Sequence, residues 1–275
     1  MKNNDFERGC CNVPPGDNDE ASMTVQSEKR QRVMWLTWDR PPLNVLDITL
    51  LRELDQALAD CAADDAIAVV VLQGAGQRAF SAGVDIKDHT IEKVPEMLEV
   101  MHGVIRRVLA LPQVTLALVR GACLGGGLEL ASCCDFIVAA EDSVFATPEI
   151  LVGCYPPVAL ARFARLIGYH RAAEMILTGR RFAAREAQAM GLIHRLGVGS
   201  ELEASVQSLI DELLGKSAAV LRLTVKGLRE ISLRGFNEDL KRAEEIYCNE
   251  LLNTADVAEG VEAFLHKRPP LWRHR

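Results

Sequence analysis

The feature that most constrains the fold is a buried strand that runs into three consecutive glycines and then directly into a helix. Residues 114–127, "VTLALVRGACLGGG", form a nearly continuous apolar run typical of a strand buried on both faces, and "LELASCC" after it predicts a helix. Such a junction leaves the first N–H groups of the helix without intrahelical partners. The glycines serve either the packing of a tight turn or the close approach of a ligand, and taken alone they favour packing.

The rest of the chain repeats this alternation of apolar runs and amphipathic helices, which indicates an α/β fold. From residue 159 onward the pattern is almost entirely helical. We therefore predict a disordered arm at residues 1–27, a core that carries the active site at 28–200 and a helical oligomerisation region at 201–275. The main elements predicted before residue 159 are strands at 32–40, 67–76, 114–127 and 135–142 and helices at 47–65 and 92–111.

Charge and composition exclude several functional classes. The net charge of −7 argues against a nucleic-acid-binding surface. No apolar run reaches the roughly 18–20 residues that span a bilayer, and the N-terminus has no apolar core of a secretory signal, so we expect neither a membrane partner nor secretion. The eight cysteines contain no C-x-x-C pair, so we expect reduced thiols, no metal site and a cytoplasmic protein.

The glycine turn does not match the known phosphate-binding loops. A P-loop requires lysine and then serine or threonine after its last glycine, whereas Leu128 and Glu129 follow here. The dinucleotide fingerprint is absent as well. A second small-residue loop, "FSAGVDIK" at residues 80–87, also follows a buried strand. Strands of a parallel sheet end at one edge, so two N–H groups from these loops can bind one carbonyl oxygen, as in an oxyanion hole.

Two glutamates add acid–base chemistry to this arrangement. Glu129 lies among Leu128, Leu130 and Ala131, and Glu149 lies in "ATPEI" between a proline and an isoleucine. Isolated glutamates are normally solvated, but apolar neighbours indicate burial here. Two buried carboxylates close together cannot both ionise easily, so one pKa is raised. One base and one acid are what the addition or removal of water requires.

Four motifs, in order and with their spacing, resemble the crotonase superfamily and in particular its enoyl-CoA hydratases. They are "AFSAGVDIK", "GACLGGGLELASCCDFIVAAEDSVFATPEI", "LTGRRFAAREAQAMGLIHRL" and "EGVEAFLHKRPP", and the resemblance covers about residues 28–270. It implies a spiral of ββα units followed by a helical trimerisation region, and a trimer or a dimer of trimers. It also implies acyl-CoA thioester substrates, an enolate intermediate and no cofactor beyond the coenzyme A of the substrate.

The resemblance assigns the site residue by residue. The oxyanion donors fall on the backbone N–H groups of Val84 and Gly126, and the catalytic carboxylates fall on Glu129 and Glu149. Which glutamate is the base stays open. The substrate and CoA contacts fall on Pro42, Leu43, Ala82, Val84, Asp85, Ile86, Gly125, Gly126, Tyr155, Pro157 and Lys267.

Some of these assignments keep an alternative. Lys267 either reaches a CoA phosphate from a neighbouring subunit or is a solvated surface lysine. Tyr155 and Pro157 replace the glycines that ordinary short-chain hydratases carry after the second glutamate. Pro157 either begins the next helix or, with Tyr155, forms the wall of the acyl pocket.

A finer resemblance concerns the acyl group. "RPPLNVLD" together with "GCYPPVA" is similar to hydratases that act on cyclohexa-1,5-diene-1-carbonyl-CoA in anaerobic aromatic degradation. The alternatives are an enoyl-CoA isomerase on the same fold and a non-catalytic CoA-binding protein. An isomerase needs one well-placed base and a scaffold needs none, so the presence of both glutamates favours the hydratase.

Overall fold

The structure is a computed structural model that describes residues 24–275, with Thr24 described by its backbone alone. Ten strands, ten α-helices and three short 3-10 helices make up this part of the chain. The strands are β1 Thr24–Arg30, β2 Val33–Asp39, β3 Val69–Gly74, β4 Ala79–Ser81, β5 Val114–Val119, β6 Ala122–Leu124, β7 Phe136–Ala140, β8 Val144–Ala146, β9 Phe182–Ala183 and β10 Arg195–Gly197. The α-helices are α1 Ile48–Ala63, α2 Val94–Ala110, α3 Gly126–Ser132, α4 Pro157–Ile167, α5 Tyr169–Thr178, α6 Ala184–Ala189, α7 Ser200–Leu214, α8 Ala218–Ser232, α9 Phe236–Asn249 and α10 Ala255–Leu265. The 3-10 helices are Ile86–Asp88, Pro148–Val152 and Leu251–Asn253.

Two sheets organise the core. The larger has six strands in the order β1-β2-β3-β5-β7-β10, and the smaller has four in the order β4-β6-β8-β9. Successive units contribute one strand to each sheet and then a helix: β3, β4 and α2 are followed by β5, β6 and α3. The larger sheet is parallel apart from the β1–β2 pair. This is the predicted spiral of ββα units.

The predicted strand at 114–127 is in fact two strands in different sheets. The strand is interrupted at Gly121, which has a φ of +61°. Only glycine fits there, because a Cβ would lie 2.1 Å from the Arg78 carbonyl oxygen. The predicted loop at 80–87 likewise overlaps β4 and the 3-10 helix Ile86–Asp88. The two glycine-containing turns therefore follow β4 and β6, which pair in parallel in the smaller sheet, and not strands of one large sheet.

The N-terminal boundary also differs from the prediction. Strand β1 pairs antiparallel with β2 from Thr24 onward, so residues 24–27 belong to the larger sheet and not to the predicted arm. The backbone hydrogen bonds of this pair explain why a polar sequence is extended here. The remainder of the predicted arm, residues 1–23, lies outside the described residues.

The C-terminal helices pack in two places, on the larger sheet and around the segment that follows β8. Helix α7 packs on the larger sheet through Leu202, Val206 and Leu209, in one apolar cluster with Val225 of α8. Helix α9 packs against α4 and α2, and α10 packs against the 3-10 helix Pro148–Val152. Within residues 24–275, no helix is long and apolar enough to cross a membrane. The six cysteines of this part lie unpaired in the structure.

Candidate active site

The Val84 N–H is presented by a loop that two hydrogen bonds hold in place. The Leu46 N–H donates to the Gly83 carbonyl at 2.9 Å, and the Asp85 N–H donates to the Leu46 carbonyl at 3.0 Å. Gly83 has a φ of +106°, a conformation that favours glycine. The bonds flank Val84 and leave its own N–H without a backbone acceptor among residues 24–275.

The Gly126 N–H lies beside that of Val84. Gly126 begins α3, so its N–H has no intrahelical acceptor, whereas the neighbouring Gly125 N–H donates to the Ala146 carbonyl at 2.9 Å. A Cβ built on Gly126 would lie 3.6 Å from the Val84 nitrogen and 2.8 Å from Val84 Cγ2. Only glycine lets the two loops approach this closely. The geometry brings together the two predicted donors, and two adjacent free N–H groups can stabilise one oxyanion.

Glu129 is buried and is held by the start of a neighbouring helix. Its residue is 4% exposed, and its Oε1 accepts a hydrogen bond of 2.9 Å from the Ala159 N–H in the first turn of α4. Burial raises the pKa of Glu129 to about 7, although the N–H groups of Ala159 and Val158 favour the ionised form and limit the rise. Glu129 is thus a buried carboxyl that titrates near neutrality.

Glu149 approaches the same turn from the 3-10 helix Pro148–Val152. A Cβ on Gly125 would lie only 2.5 Å from Glu149 Oε1, so the glycine turn makes room for this carboxylate. Glu149 Oε2 is buried and has no hydrogen-bond partner in the described part of the chain. Burial first and the charge of Glu129 second raise the pKa of Glu149 to about 8.

The two carboxyls are therefore neighbours that share their electrostatic environment. Near neutral pH the pair favours one proton over none, because ionising both would place two negative charges in a buried site. The N–H donors at Glu129 favour its ionised form, whereas none of residues 24–275 donates to Glu149 Oε2, so the proton is favoured on Glu149. The arrangement supplies one base and one acid next to two free N–H donors.

The "CYPPVA" segment explains the hydrogen bonds to Glu129. Pro157 is the first residue of α4, the position at which proline is favoured because its missing N–H is not needed there. Val158 and Ala159 follow, and their N–H groups point at Glu129. The prediction that Pro157 begins a helix is confirmed. Its role as a wall of the acyl pocket stays a prediction.

Tyr155 is half-buried and connects this segment to the C-terminal helices. Its hydroxyl donates to the Ala243 carbonyl of α9 at 2.8 Å. Its ring packs edge to face against Tyr247, with ring centroids 5.0 Å apart. Tyr247 is 1% exposed and shares an apolar cluster with Cys154, into which the Val84 side chain also packs. An aromatic pair thus lies in the apolar cluster that the Val84 side chain joins.

The predicted CoA-contacting loops lie side by side. The Ala82 N–H donates to the Leu43 carbonyl at 3.0 Å, and Arg40 joins the loops through Asp85 at 3.0 Å and Asp47 at 3.3 Å. The Asp85 carboxylate also accepts from the Lys87 N–H, so its contacts hold the loop together. Of the other predicted contacts, Pro42 is exposed and Ile86 is partly exposed. Their contacts with CoA stay predictions.

Lys267 lies apart from this cluster of loops in sequence and follows α10. It is exposed, has a φ of +52° and makes no ion pair with the described residues. Both interpretations of this lysine, a phosphate contact in a neighbouring subunit and a solvated side chain, stay open.

Sequence reasoning missed Tyr247 and Ala159. The sequence places Tyr247 in the predicted oligomerisation region, residues 201–275, and not near the active site. The spacing of Phe236, Leu240, Ala243 and Tyr247 marks the buried face of α9, but this spacing does not show which segment the face covers. The Ala159 contribution is a backbone N–H, which no side-chain pattern reveals. The proline pair before it was the available signal.

Comparisons with known proteins agree with this geometry. The family model described as enoyl-CoA hydratase/isomerase matches residues 28–275. A cyclohexa-1,5-dienecarbonyl-CoA hydratase from Thauera aromatica is 32% identical over 254 residues, which cover 92% of this chain and 97% of that protein. A probable enoyl-CoA hydratase from Rhizobium meliloti is 34% identical over 262 residues, covering 92% and 98% respectively.

Solved structures show the same fold. An enoyl-CoA hydratase from Mycobacterium avium subsp. paratuberculosis superposes with a TM-score of 0.81 at 29% identity, over 90% of this chain and 98% of that one. An enoyl-CoA hydratase/isomerase from Xanthobacter autotrophicus Py2 gives 0.81 at 28% identity, over 88% and 93%. The resemblance of the motifs is thus confirmed over nearly the whole described chain. This protein belongs to the enoyl-CoA hydratase/isomerase family, the crotonase family of enzymes.

Proposed function

We propose that this enzyme adds water to a conjugated acyl-CoA thioester and that its preferred acyl group is a cyclohexa-1,5-diene-1-carbonyl ring. The observation that carries the proposal is the carboxyl pair. Two glutamates with raised pKa values lie against one glycine turn, next to two free N–H donors. An oxyanion hole alone would serve many reactions of thioesters, but the addition of water requires both a base and an acid.

In the proposed reaction the thioester oxygen accepts hydrogen bonds from the Val84 and Gly126 N–H groups. Ionised Glu129 takes a proton from a water molecule as the water oxygen bonds to the conjugated carbon. The π electrons move towards the thioester oxygen and form an enolate, which the two donors stabilise by about 3 kcal/mol per donor. Glu149, which carries the proton, then delivers it to the enolate carbon, and the net change is the addition of one water.

The cyclic acyl group is supported by the relative from Thauera aromatica, whose name specifies that substrate. It is also supported by the aromatic pair of Tyr155 and Tyr247, which shares an apolar cluster with the Val84 side chain. Planar conjugated rings pack well against such surfaces. A function in aromatic degradation follows from this substrate and belongs to the same proposal.

The predicted assembly and location extend the proposal. Helix α8 exposes Val220, Leu223, Leu228 and Ile231, each more than 60% accessible. An exposed apolar face of this size supports contact with another subunit, and a trimer or a dimer of trimers is the assembly that we propose. The CoA enters only as part of the substrate, and no step is assigned to a further cofactor. A cytoplasmic location stays a prediction of the sequence.

The test compares two substrates in parallel. Purified protein is given crotonyl-CoA and cyclohexa-1,5-diene-1-carbonyl-CoA, and loss of conjugation is followed spectroscopically in water enriched in oxygen-18. We expect turnover of both, faster with the cyclic diene, with label in the product hydroxyl. Turnover without label would indicate the isomerase, because isomerisation moves only protons. Binding of both thioesters without turnover would indicate a non-catalytic protein, and turnover of crotonyl-CoA alone would exclude the cyclic preference.

A further inference from the structure

The two catalytic carboxylates are held in different ways. Glu129 extends from α3 and is fixed at its own oxygen by the Ala159 N–H. Glu149 Oε2 has no such bond within residues 24–275, and the 3-10 helix that carries it has no side-chain cap and no fully buried residue. The position of the Glu149 carboxylate therefore depends on where the backbone of the 3-10 helix Pro148–Val152 lies.

That backbone packs directly against helix α10. A Cβ on Gly260 of α10 would lie 2.3 Å from the Val152 carbonyl oxygen and 2.5 Å from its carbonyl carbon. The contact is reciprocal, because a Cβ on Gly153, whose φ is +76°, would lie 2.8 Å from the Asp256 carbonyl oxygen. Real Cβ atoms do not approach other heavy atoms this closely. Glycine weakens a helix relative to alanine, and this contact accounts for its presence inside α10.

Helix α5 also contacts this 3-10 helix. A Cβ on Gly179, at the end of α5, would lie 2.9 Å from Ile150 Cγ2 and 3.4 Å from Pro148 Cα. The 3-10 helix thus packs against both α5 and α10, with Gly179 and Gly260 at the two contacts.

We propose that Gly260 is a positioning residue for Glu149: its lack of a side chain lets α10 set the backbone that carries the catalytic acid. The Tyr155 hydroxyl, bonded to the Ala243 carbonyl, makes a second connection between this segment and the C-terminal helices. The C-terminal region therefore helps to build the active site of its own chain. The inference rests on the proposed function, because it takes Glu149 as the group that delivers the proton.

The test replaces Gly260 with alanine and uses Gly103→Ala as the matched control. Gly103 lies in the middle of α2, where an added Cβ meets no atom within 4 Å. For each variant kcat and KM are measured for hydration, the Kd of unreactive butyryl-CoA is measured by calorimetry, and Tm is recorded. We expect Gly260→Ala to lower kcat between 10-fold and 100-fold, as misplacement of a catalytic group by about 1 Å does, with Kd changed less than about twofold. Gly103→Ala should match the wild type in kcat, KM and Kd, with an equal or slightly higher Tm because alanine favours a helix.

A double variant separates positioning from a general loss of structure. If Gly260→Ala acts by displacing Glu149, then adding Glu149→Gln should cost little more, because the carboxylate is already misplaced. If Glu149→Gln lowers kcat by the same factor in the wild type and in Gly260→Ala, the proposal is overturned. An unchanged kcat in folded Gly260→Ala also overturns it. If Gly260→Ala does not fold, Tyr155→Phe removes the second connection, and it should lower kcat severalfold at constant Kd. An unchanged kcat in Tyr155→Phe would then overturn the proposal.

Hydration by the wild type distinguishes a failure of the positioning role from a failure of the proposed function. Absence of hydration in the wild type contradicts the hydratase and not the positioning role. In that case the exchange of the α-protons of butyryl-CoA with deuterated solvent, followed by NMR, replaces hydration as the readout, because it needs only the oxyanion donors and a placed carboxylate. We expect slower exchange in Gly260→Ala than in Gly103→Ala, and equal exchange overturns the proposal.

Discussion

Replacing Glu149 with glutamine should abolish activity and at the same time stabilise the protein at alkaline pH. Glutamine has the shape of a protonated glutamate but cannot ionise or deliver a proton. Loss of a general acid typically costs between 100-fold and 10,000-fold in rate. The stability gain comes from a different property of the same side chain. Its burial raises the pKa of Glu149 from 4.5 to about 8, so ionising it in the folded state is unfavourable.

The sign and the size of the gain follow from proton linkage. A raised pKa means that the folded protein binds the proton more tightly than the unfolded chain does. The stability that this contributes is fully present below pH 4.5 and is lost as the pH rises through about 8. A shift from 4.5 to about 8 corresponds to about 5 kcal/mol at most, at 1.36 kcal/mol per pH unit. Glutamine avoids this loss, so the variant and the wild type should diverge only as the pH rises.

The assay is thermal unfolding of both proteins at pH 5 and pH 9, at one protein concentration because subunit association also affects Tm. We expect nearly equal Tm values at pH 5 and a Tm about 5–10 °C higher for Glu149→Gln at pH 9. Comparing the two proteins at each pH cancels the titration of the groups that do not interact with Glu149. Glu99→Gln, on the exposed face of α2, is the control and should follow the wild type at both values. A Tm difference that does not change with pH would refute the buried, proton-binding state of Glu149.

Four other outcomes follow from the site. Gly126→Ala places a methyl group 2.8 Å from Val84 Cγ2 and should lower kcat/KM for crotonyl-CoA about 100-fold; a normal rate would contradict the oxyanion assignment. Tyr247→Ala should raise kcat/KM for decenoyl-CoA relative to crotonyl-CoA about tenfold, whereas Tyr247→Phe should keep the ratio; equal ratios in both variants would exclude the ring as a pocket wall. Arg40→Gln removes the ion pairs between the two CoA-contacting loops and should weaken butyryl-CoA binding about tenfold by calorimetry, with a smaller change in kcat; unchanged affinity would contradict this role. The kcat/KM of the wild type should fall above about pH 8, where Glu149 loses its proton, and a flat profile to pH 9.5 would contradict its role as the acid.

The parts of the fold that sequence reasoning predicted are those with strong periodic patterns. Helix α1 begins after Asp47, whose side chain accepts a hydrogen bond from the Leu50 N–H and so caps the helix predicted at 47–65. The short strands of the smaller sheet were not recognised, because three residues cannot display an alternating pattern. Their pairing is decided by the positive φ of Gly121 and by contacts with distant segments. Such information is tertiary and does not appear in any local window of sequence.

Sequence reasoning predicts the site residues whose side chains would do the chemistry. It misses residues that act through their backbone N–H groups, such as Ala159. Glu129 and Glu149 are recognisable because charged residues rarely occur in apolar surroundings without a function. Their unequal environments depend on the Ala159 N–H and on burial, which follow from the placement of α4 and α10. The division into a catalytic core and an oligomerisation region separated Tyr247 from the residues that it packs against.

The different environments of the two carboxylates explain how one buried pair can provide both the acid and the base of the proposed reaction. Helix α4 directs N–H groups at Glu129 and thereby favours its charge. The 3-10 helix Pro148–Val152 brings Glu149 against Gly125, where no donor from the described part of the chain reaches Oε2 and the charge of Glu129 favours the neutral form. The first arrangement depends on Pro157, which begins α4, and the second on Gly260, which positions the 3-10 helix. Exchanging the environments of the two glutamates would exchange their roles, so acid and base are properties of the backbone around each carboxylate and not of the glutamate itself.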